Sequence, residues 1–238
     1  MRELAVVCVS GGMDSALTAA LAAQSHRLAL LHANYGQRTQ SRELECFWAL
    51  AKHLGAERTL LVDLAALSSI GGSSLTDNRI PVREGAPVEG SVPTSYVPFR
   101  NAHLLAAATS WAEVLGASAL FVGAVWEDSS GYPDCRPEFY RAFEEAIRQG
   151  TRPETSIRIV TPVIHMTKAD IVRRGQELGV PFEKTWSCYQ ASERACGRCE
   201  SCLLRLKGFA EAGLEDPIPY ERGGTGTPLP VDRSAVRD

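Results

Sequence analysis

The chain has 238 residues, of which 45% are hydrophobic and 22% charged, and its formal net charge is -3 at pH 7. This length allows one ordinary domain with a small appendage, and the acidic balance lacks the basic face of a nucleic-acid binder. We therefore expect small-molecule substrates and no nucleic-acid partner. Neither a membrane-spanning run of roughly 20 apolar residues nor a signal-peptide pattern is found, so a cytoplasmic protein is expected.

Apolar, β-branched runs alternate with helical patterns along the first third of the chain. Strands are predicted at residues 3–9, 27–35 and 57–64, and helices at 14–24 and 40–54. Continuous apolar runs are typical of strands buried on both faces of a parallel sheet. The alternation therefore predicts an α/β fold with a doubly wound, mostly parallel sheet.

Residues 68–98 interrupt this pattern with glycine, serine and proline, which predicts a long loop. The alternation then resumes, with helices predicted at 101–116, 137–150 and 167–179 and strands at 118–125 and 157–163. We divide the chain into an α/β domain (1–180), a cysteine-rich region (181–215) and a loosely held tail (216–238).

The turn between the first strand and the first helix is a candidate phosphate site. In "SGGMDS", successive backbone N–H groups and a helix N-terminus would form a concave anion site. Ser10 and Ser15 could add hydroxyl donors. Asp14 either caps the helix or holds Mg²⁺ against the phosphates. Considered as residues alone, a plain structural turn remains an alternative.

Four cysteines near the C-terminus predict a metal site. Cys188, Cys196, Cys199 and Cys202 would offer four thiolates, and a tetrahedral Cys₄ set suits a structural Zn²⁺. Free or disulfide-paired cysteines and an iron–sulfur cluster are the alternatives. Trp186, beside them, is expected to pack this region onto the α/β domain.

A third group of polar residues follows the predicted strand 118–125, where ligands of open α/β sheets bind. Within "SGYPDCR", Tyr132 could stack on a ring, Asp134 could accept hydrogen bonds from a base edge, and Arg136 could pair with a carboxylate. The same residues would equally suit a turn that caps the next helix.

"SGGMDS" resembles the SGGxDS loop of the PP-loop ATP pyrophosphatases. From its first strand to about Arg205, the chain resembles the 7-cyano-7-deazaguanine synthase family of queuosine biosynthesis. Besides "SGGMDS", the resemblance is carried by "NYGQR", "VPFRN", "SGYPDCR", Lys168 and "SCY…CGRCESC". Phe99 departs from the pattern, because many members have a small residue such as glycine there.

The resemblance implies an ATP-dependent ligase that converts 7-carboxy-7-deazaguanine and ammonia to the nitrile, with ATP, Mg²⁺ and one structural Zn²⁺ per chain, in a homodimer. It implies catalytic roles for Asp14, Arg100 and Lys168 and substrate roles for Tyr132, Asp134 and Arg136. The expected nucleotide segment comprises Val9, Ser10, Gly11, Gly12, Met13, Asp14, Ser15, Ala16, Leu17, Thr18 and Ala19.

Three other functions remain open from the sequence. A PP-loop tRNA-modifying enzyme, either a thiolase or an amidine-forming ligase, would need a basic face and, for thiolation, a reactive CxxC pair. A catalytically silent relative would bind nucleotide or a partner only. A paralogue would act on a deazaguanine attached to another molecule.

Overall fold

Five parallel strands form one sheet in the order β3-β2-β1-β4-β5. The computed structural model describes residues 2–86, 88, 90–126 and 131–221. The strands are β1 (Leu4–Cys8), β2 (Arg27–Asn34), β3 (Arg58–Asp63), β4 (Ala119–Val122) and β5 (Arg158–Val160). The helices are α1 (Met13–Ala23), α2 (Gln40–Leu54), α3 (Ala66–Ile70), α4 (Arg100–Leu115), α5 (Pro137–Gly150), α6 (Lys168–Glu177) and α7 (Glu200–Glu211).

Helices cover both faces of the sheet. Because side chains alternate along a strand, Val7 of β1 joins the core formed with α1, α2, α6 and α7, whereas Val6 joins the core formed with α4 and α5. Both valines are fully buried, which explains the uninterrupted apolar pattern of β1. The predicted doubly wound α/β fold is confirmed.

The order of the strands reverses direction at β1, which lies between β2 and β4. Cys8 at the end of β1 is in register with Leu31 of β2 and with Val122 of β4. In open α/β sheets, ligands bind in the crevice outside the carboxyl ends of the strands at such a reversal. The topology therefore places a candidate site beyond Cys8.

Three predicted elements differ from the structure by three residues at one end. β4 ends at Val122 rather than at residue 125. β5 ends at Val160 rather than at residue 163, because Pro162 has no N–H with which to continue the ladder. The region predicted as a loop from residue 68 includes the end of α3. At its start, α6 is capped by Thr167, which forms a reciprocal capping box with Asp170.

The cysteine-rich region packs tightly against the sheet domain and extends further than predicted. Ile218 is buried beside the cysteines, and Tyr220 forms an isolated β-bridge with Ala195. Ile218 and Tyr220 both lie in the segment predicted as a loose tail. Residues 222–238 of that tail, and residues 127–130 of the third polar group, lie outside the described residues. None of the described helices is both long and apolar enough to cross a membrane.

Candidate active site

A cavity of about 250 Å³ lies beyond the carboxyl ends of the central strands. Its wall combines the turn after β1, the segment after β2, the start of α4, the segment after β4, the start of α6 and the cysteine-rich region. The polar residues that line it include Ser10, Asp14, Ser15, Gln37, Arg38, Thr39, Glu43, Arg100, Asn101, Lys168, Ser187 and Ser201.

The turn after β1 is held in shape by its own serines and glycines. Ser15 Oγ donates to the Gly12 carbonyl at 3.0 Å and accepts from the Ser10 N–H at 3.2 Å. Gly11 has a φ of 92°, and an added Cβ would lie 2.6 Å from the Glu43 carbonyl oxygen. Only glycine fits this position, because both the backbone conformation and the approach of α2 exclude a side chain.

Gly12 is the N-cap residue of α1, and no side chain caps this helix. The Asp14 carboxylate instead pairs with Lys168 at the start of α6, so the alternative of a plain turn capped by Asp14 is not what the structure contains. The first residues of α1 line the cavity, and a helix N-terminus, with its unsatisfied N–H groups, carries a partial positive charge. This end of the cavity is therefore suited to an anion such as a phosphate.

Asp14 and Lys168 form an ion pair at the same end. Lys168 Nζ lies 2.7 Å from Asp14 Oδ2, and both side chains are largely shielded from solvent. Asp14 Oδ1 is buried and has no hydrogen-bond partner among the described residues. A buried carboxylate oxygen of this kind fits the hard oxygen ligands that Mg²⁺ requires.

Lys168 is brought to the cavity by close packing of two helices. Gly208 of α7 lies so near that an added Cβ would be 2.5 Å from Lys168 Cβ. Lys168 is also the first residue of α6, directly after the Thr167 cap. The capping box and the small Gly208 therefore fix where the ammonium group enters the site.

Arg100 contributes a further cation to the cavity wall. It is the first residue of α4, and its guanidinium lies over the Tyr35 ring, 5.4 Å from the centroid, with Nη1 donating to the Tyr35 hydroxyl at 3.2 Å. Burial raises the pKa of Tyr35 to about 12, so its phenol is neutral at pH 7. Arg100 keeps its charge beside a neutral aromatic wall.

The three predicted substrate residues have different environments. Tyr132 lines the cavity and donates its hydroxyl proton to Ser95 Oγ at 2.9 Å. Asp134 is buried, and its Oδ2 accepts from the Asn101 N–H at 2.9 Å, at the start of α4. Arg136 is exposed and donates to the Pro133 carbonyl at 3.2 Å. Among the three, only Tyr132 belongs to the cavity wall.

Burial raises the pKa of the Asp134 carboxyl, although the hydrogen bond from Asn101 and the nearby Arg100 act in the opposite direction. In this structure, Asp134 accepts a hydrogen bond from the N–H of Asn101, which has no partner within α4 because it lies in the first turn of that helix. Its predicted contact with a base edge, and that of Arg136 with a carboxylate, remain predictions.

The predicted nucleotide segment divides at Ser15. Residues of the turn and the first turn of α1 line the cavity, whereas the later ones are buried within the core around α1. The lining members are Val9, Ser10, Gly12, Met13, Asp14 and Ser15; the core members are Ala16, Leu17, Thr18 and Ala19. Gly11 is not part of the cavity wall and lies against the Glu43 carbonyl of α2.

Several cavity residues were not predicted as site residues. Tyr35, Gln37 and Glu43 form a chain: Gln37 accepts from the Tyr35 N–H and donates to Glu43. The motif "NYGQR" after β2 was a signal for the first two. Tyr189 and Tyr140 also line the cavity, but no local pattern marked them.

The four predicted cysteines do meet. Their sulfur atoms lie within 4.8 Å of one another, all four residues are buried, and Cys196 Sγ is 3.9 Å from Cys202 Sγ. Tetrahedral Zn–S bonds of about 2.3 Å would place sulfur atoms about 3.8 Å apart. Backbone N–H groups of Gln190, Ala191 and Cys196 point at Cys188 Sγ, which favours a thiolate. The cluster is a site that could bind a metal ion.

The chain matches the family model described as queuosine biosynthesis protein QueC over residues 4–213. The 7-cyano-7-deazaguanine synthase of Chlorobaculum parvum is 56% identical over 91% of this chain and 96% of its own length. The enzyme of the same name from Acidobacterium capsulatum is 54% identical over 92% and 97%.

Among solved structures, NMN synthetase from Francisella tularensis covers 76% of this chain and 63% of its own, at 16% identity and a TM-score of 0.44. That likeness is too distant to support a functional argument. The family model and the relatives, by contrast, span the sheet domain, the cavity and the four cysteines. The chain therefore belongs to the queuosine biosynthesis protein QueC family.

Proposed function

We propose that this protein is a 7-cyano-7-deazaguanine synthase, an ATP-dependent ligase that converts 7-carboxy-7-deazaguanine and ammonia to the nitrile. The observation that carries the proposal is identity above 50% with enzymes of that name over more than nine-tenths of the chain. The cavity supports it, because one end suits phosphates and the other combines a cation with aromatic walls.

The nucleotide phosphates bind at the N-terminus of α1. Backbone N–H groups of the turn after β1 and the Ser10 hydroxyl face the anion, while Lys168 supplies a full positive charge beside it. Such preorganised donors stabilise charge that develops on a phosphate without having to reorganise during the reaction. Asp14 holds Lys168 in place through the 2.7 Å ion pair.

The proposed function also requires two metal ions, Mg²⁺ and Zn²⁺. Asp14, whose Oδ1 lacks a hydrogen-bond partner among the described residues, would hold Mg²⁺, which neutralises phosphate charge when it is bound. The four cysteines would hold one structural Zn²⁺, because a closed Cys₄ set leaves no open coordination position.

The bicyclic substrate occupies the part of the cavity near Arg100. Tyr132 offers a ring face, and Arg100 lines the cavity, whereas Arg136 is exposed. The other lining arginine, Arg38, donates its guanidinium N–H groups to backbone carbonyls of residues 74, 77 and 80. We assign the substrate carboxylate, and the charge that develops when its oxygen is activated, to Arg100. Asp134 supports this placement through its hydrogen bond to Asn101, the next residue of α4.

The chemistry depends mainly on position and charge. A carboxylate oxygen is a poor leaving group until ATP transfers a phosphoryl or adenylyl group to it, after which ammonia displaces it and forms the amide. A second activation, of the amide oxygen, followed by its loss, gives the nitrile. Each step is accelerated by holding the reactants together and by stabilising negative charge, to which Lys168 and Arg100 contribute.

A tRNA thiolase is less well supported. All seven cysteines are buried, and four of them converge on one point, so no CxxC pair is presented to a substrate. The formal charge of -3 also gives little electrostatic attraction for tRNA phosphates. We therefore propose small-molecule substrates, and from the family resemblance a homodimer located in the cytoplasm.

Mass spectrometry tests the function directly. Purified protein is incubated with ATP, Mg²⁺, ammonium and 7-carboxy-7-deazaguanine, and the expected product is the nitrile, formed only when ATP is present. Lys168→Met serves as the matched negative control. An ATP-dependent product other than the nitrile, or no ATP-dependent change, would overturn the proposal. Light scattering measures the oligomer, and metal analysis is expected to find one zinc per chain.

A further inference from the structure

Trp186 connects the cysteine-rich region to the turn that faces the phosphates. Its backbone N–H donates to the Gly11 carbonyl at 2.8 Å, and its own carbonyl oxygen lies within 3.5 Å of the position that a Cβ on Gly12 would occupy. The turn after β1 is thus supported from outside the α/β domain core. Contacts that hold Trp186 in place therefore also hold Gly11 and Gly12, which shape the anion site.

Three contacts fix the Trp186 side chain, which is 2% exposed. The ring packs in one buried cluster with Cys46 and the four converging cysteines. The indole N–H donates to the Ala191 carbonyl at 2.9 Å, within the same region. On the α2 side, the Arg42 guanidinium lies 4.9 Å from the ring centroid, a distance at which a cation is attracted to the ring.

Arg42 does not line the cavity, so its influence on a nucleotide must pass through other residues. It belongs to α2, the helix whose Glu43 carbonyl closes over Gly11. Arg42 therefore holds Trp186 against the same helix that limits Gly11 from the other side. Its ion pair with Glu45, at 2.9 Å, lies at the surface, where such pairs contribute little.

We propose that Arg42 and the four-cysteine region act as a clamp on Trp186, and that this clamp positions the Gly11–Gly12 turn for nucleotide binding. Arg42 is then a positioning residue that sets ATP affinity without touching ATP. A metal held by the cysteines would contribute to the same affinity at a distance, beyond its contribution to stability. The inference rests on the proposed function in taking ATP as the ligand of the turn and zinc as the metal of the four cysteines.

Calorimetry with zinc-loaded protein tests the clamp without requiring turnover. Arg42→Gln removes the cation over the ring and is expected to raise the Kd for ATP about fivefold, while the affinity for 7-carboxy-7-deazaguanine and the zinc content stay unchanged. Arg42→Lys keeps a cation and is expected to restore most of the affinity. Glu45→Gln is the matched control, because it breaks the surface ion pair yet leaves Arg42 over the ring.

Hydrogen exchange supplies a second readout. In Arg42→Gln, peptides that contain Trp186 and residues 9–13 are expected to exchange faster, whereas peptides from β2 are not. Chelator-treated protein that keeps its helical circular dichroism is expected to show the same pattern and the same weakened ATP binding.

Unchanged ATP affinity in folded Arg42→Gln, or an equal loss in Glu45→Gln, would overturn the proposal. If Arg42→Gln does not fold, chelated protein that binds ATP as tightly as the zinc-loaded form would overturn it. A wild-type protein that binds no ATP would refute the proposed function instead, so the two failures are distinguishable.

Discussion

The Asp14 carboxylate and the Lys168 ammonium group meet at 2.7 Å across 154 positions of the chain. One stands in the first turn of α1 and the other begins α6, and these two helices pack on the same face of the sheet. The pair gives the phosphate end of the cavity one cation whose position is fixed by a carboxylate.

Replacing Lys168 by Met is expected to lower kcat at least about 100-fold, because removing one preorganised charge-stabilising group typically costs that much. The KM for the deazaguanine should change little. Steady-state nitrile formation at saturating ATP measures both. Lys207→Met, an exposed change on α7, is the control. A loss smaller than threefold would contradict the role given to Lys168.

Arg100 and Arg136 can be separated by the same assay. Because Arg100 lines the cavity and Arg136 is exposed, Arg100→Ala is expected to lower kcat/KM by about 100-fold, and Arg136→Ala by less than about threefold. Arg100→Lys should recover little, since a lysine cannot reproduce a stacked, forked guanidinium. A larger effect at Arg136 would restore its predicted contact with the carboxylate.

The difference in stability between wild type and Asp134→Asn is expected to depend on pH, because the Asp134 carboxyl is buried. The pKa of Asp134 is raised in the folded protein, so its ionised form is disfavoured on folding. Below the unfolded-state pKa both states bind the proton and the penalty vanishes. As pH rises through the folded-state pKa, wild type is expected to lose stability relative to Asp134→Asn, and then to reach a plateau.

Urea unfolding between pH 3 and pH 7 measures this difference, and both proteins need the same m value for the comparison. A difference that shrinks with rising pH would contradict the assignment. Activity is the second readout: a folded Asp134→Asn that loses substrate affinity would support the predicted contact of Asp134 with the base.

Phe99 carries a backbone conformation that suits glycine. Its φ of 59° is left-handed, and it is the only such residue other than glycine in the described part of the chain. Phe99→Gly and Phe99→Ala both remove the ring, which contacts Phe139, so their difference isolates the backbone. Phe99→Gly is expected to be more stable than Phe99→Ala by about 1 kcal/mol. Thermal unfolding of the pair tests this, and the reverse order would refute it.

Arg205 and Asp216 form a buried, two-bond ion pair, with distances of 2.7 and 2.9 Å and side-chain exposures of 1% and 3%. Arg205→Met leaves Asp216 charged and buried without its partner, which is expected to cost about 3–5 kcal/mol of unfolding free energy. Urea unfolding measures it. Lys207→Met, on the same helix, is expected to stay within about 0.5 kcal/mol. A comparable loss at Lys207 would contradict this explanation.

The sequence alone determined the α/β fold, the turn after β1 and the identity of the four converging cysteines. These features are local: an apolar run such as β1, a glycine-rich stretch between a strand and a helix, and thiols spaced closely enough to meet around one ion. Local order of the chain is sufficient to predict each of them.

Only the tertiary structure decided which side chains share the cavity. Arg136 is exposed, although Tyr132, close to it in the chain, lines the cavity. Tyr35 and Tyr189, far apart in sequence, both line the cavity. Likewise, no pattern near Gly11 indicated that Trp186 supports it or that Asp14 pairs with Lys168. Such contacts depend on how helices pack across the sheet, and short-range periodicity carries no information about partners separated by more than 150 residues.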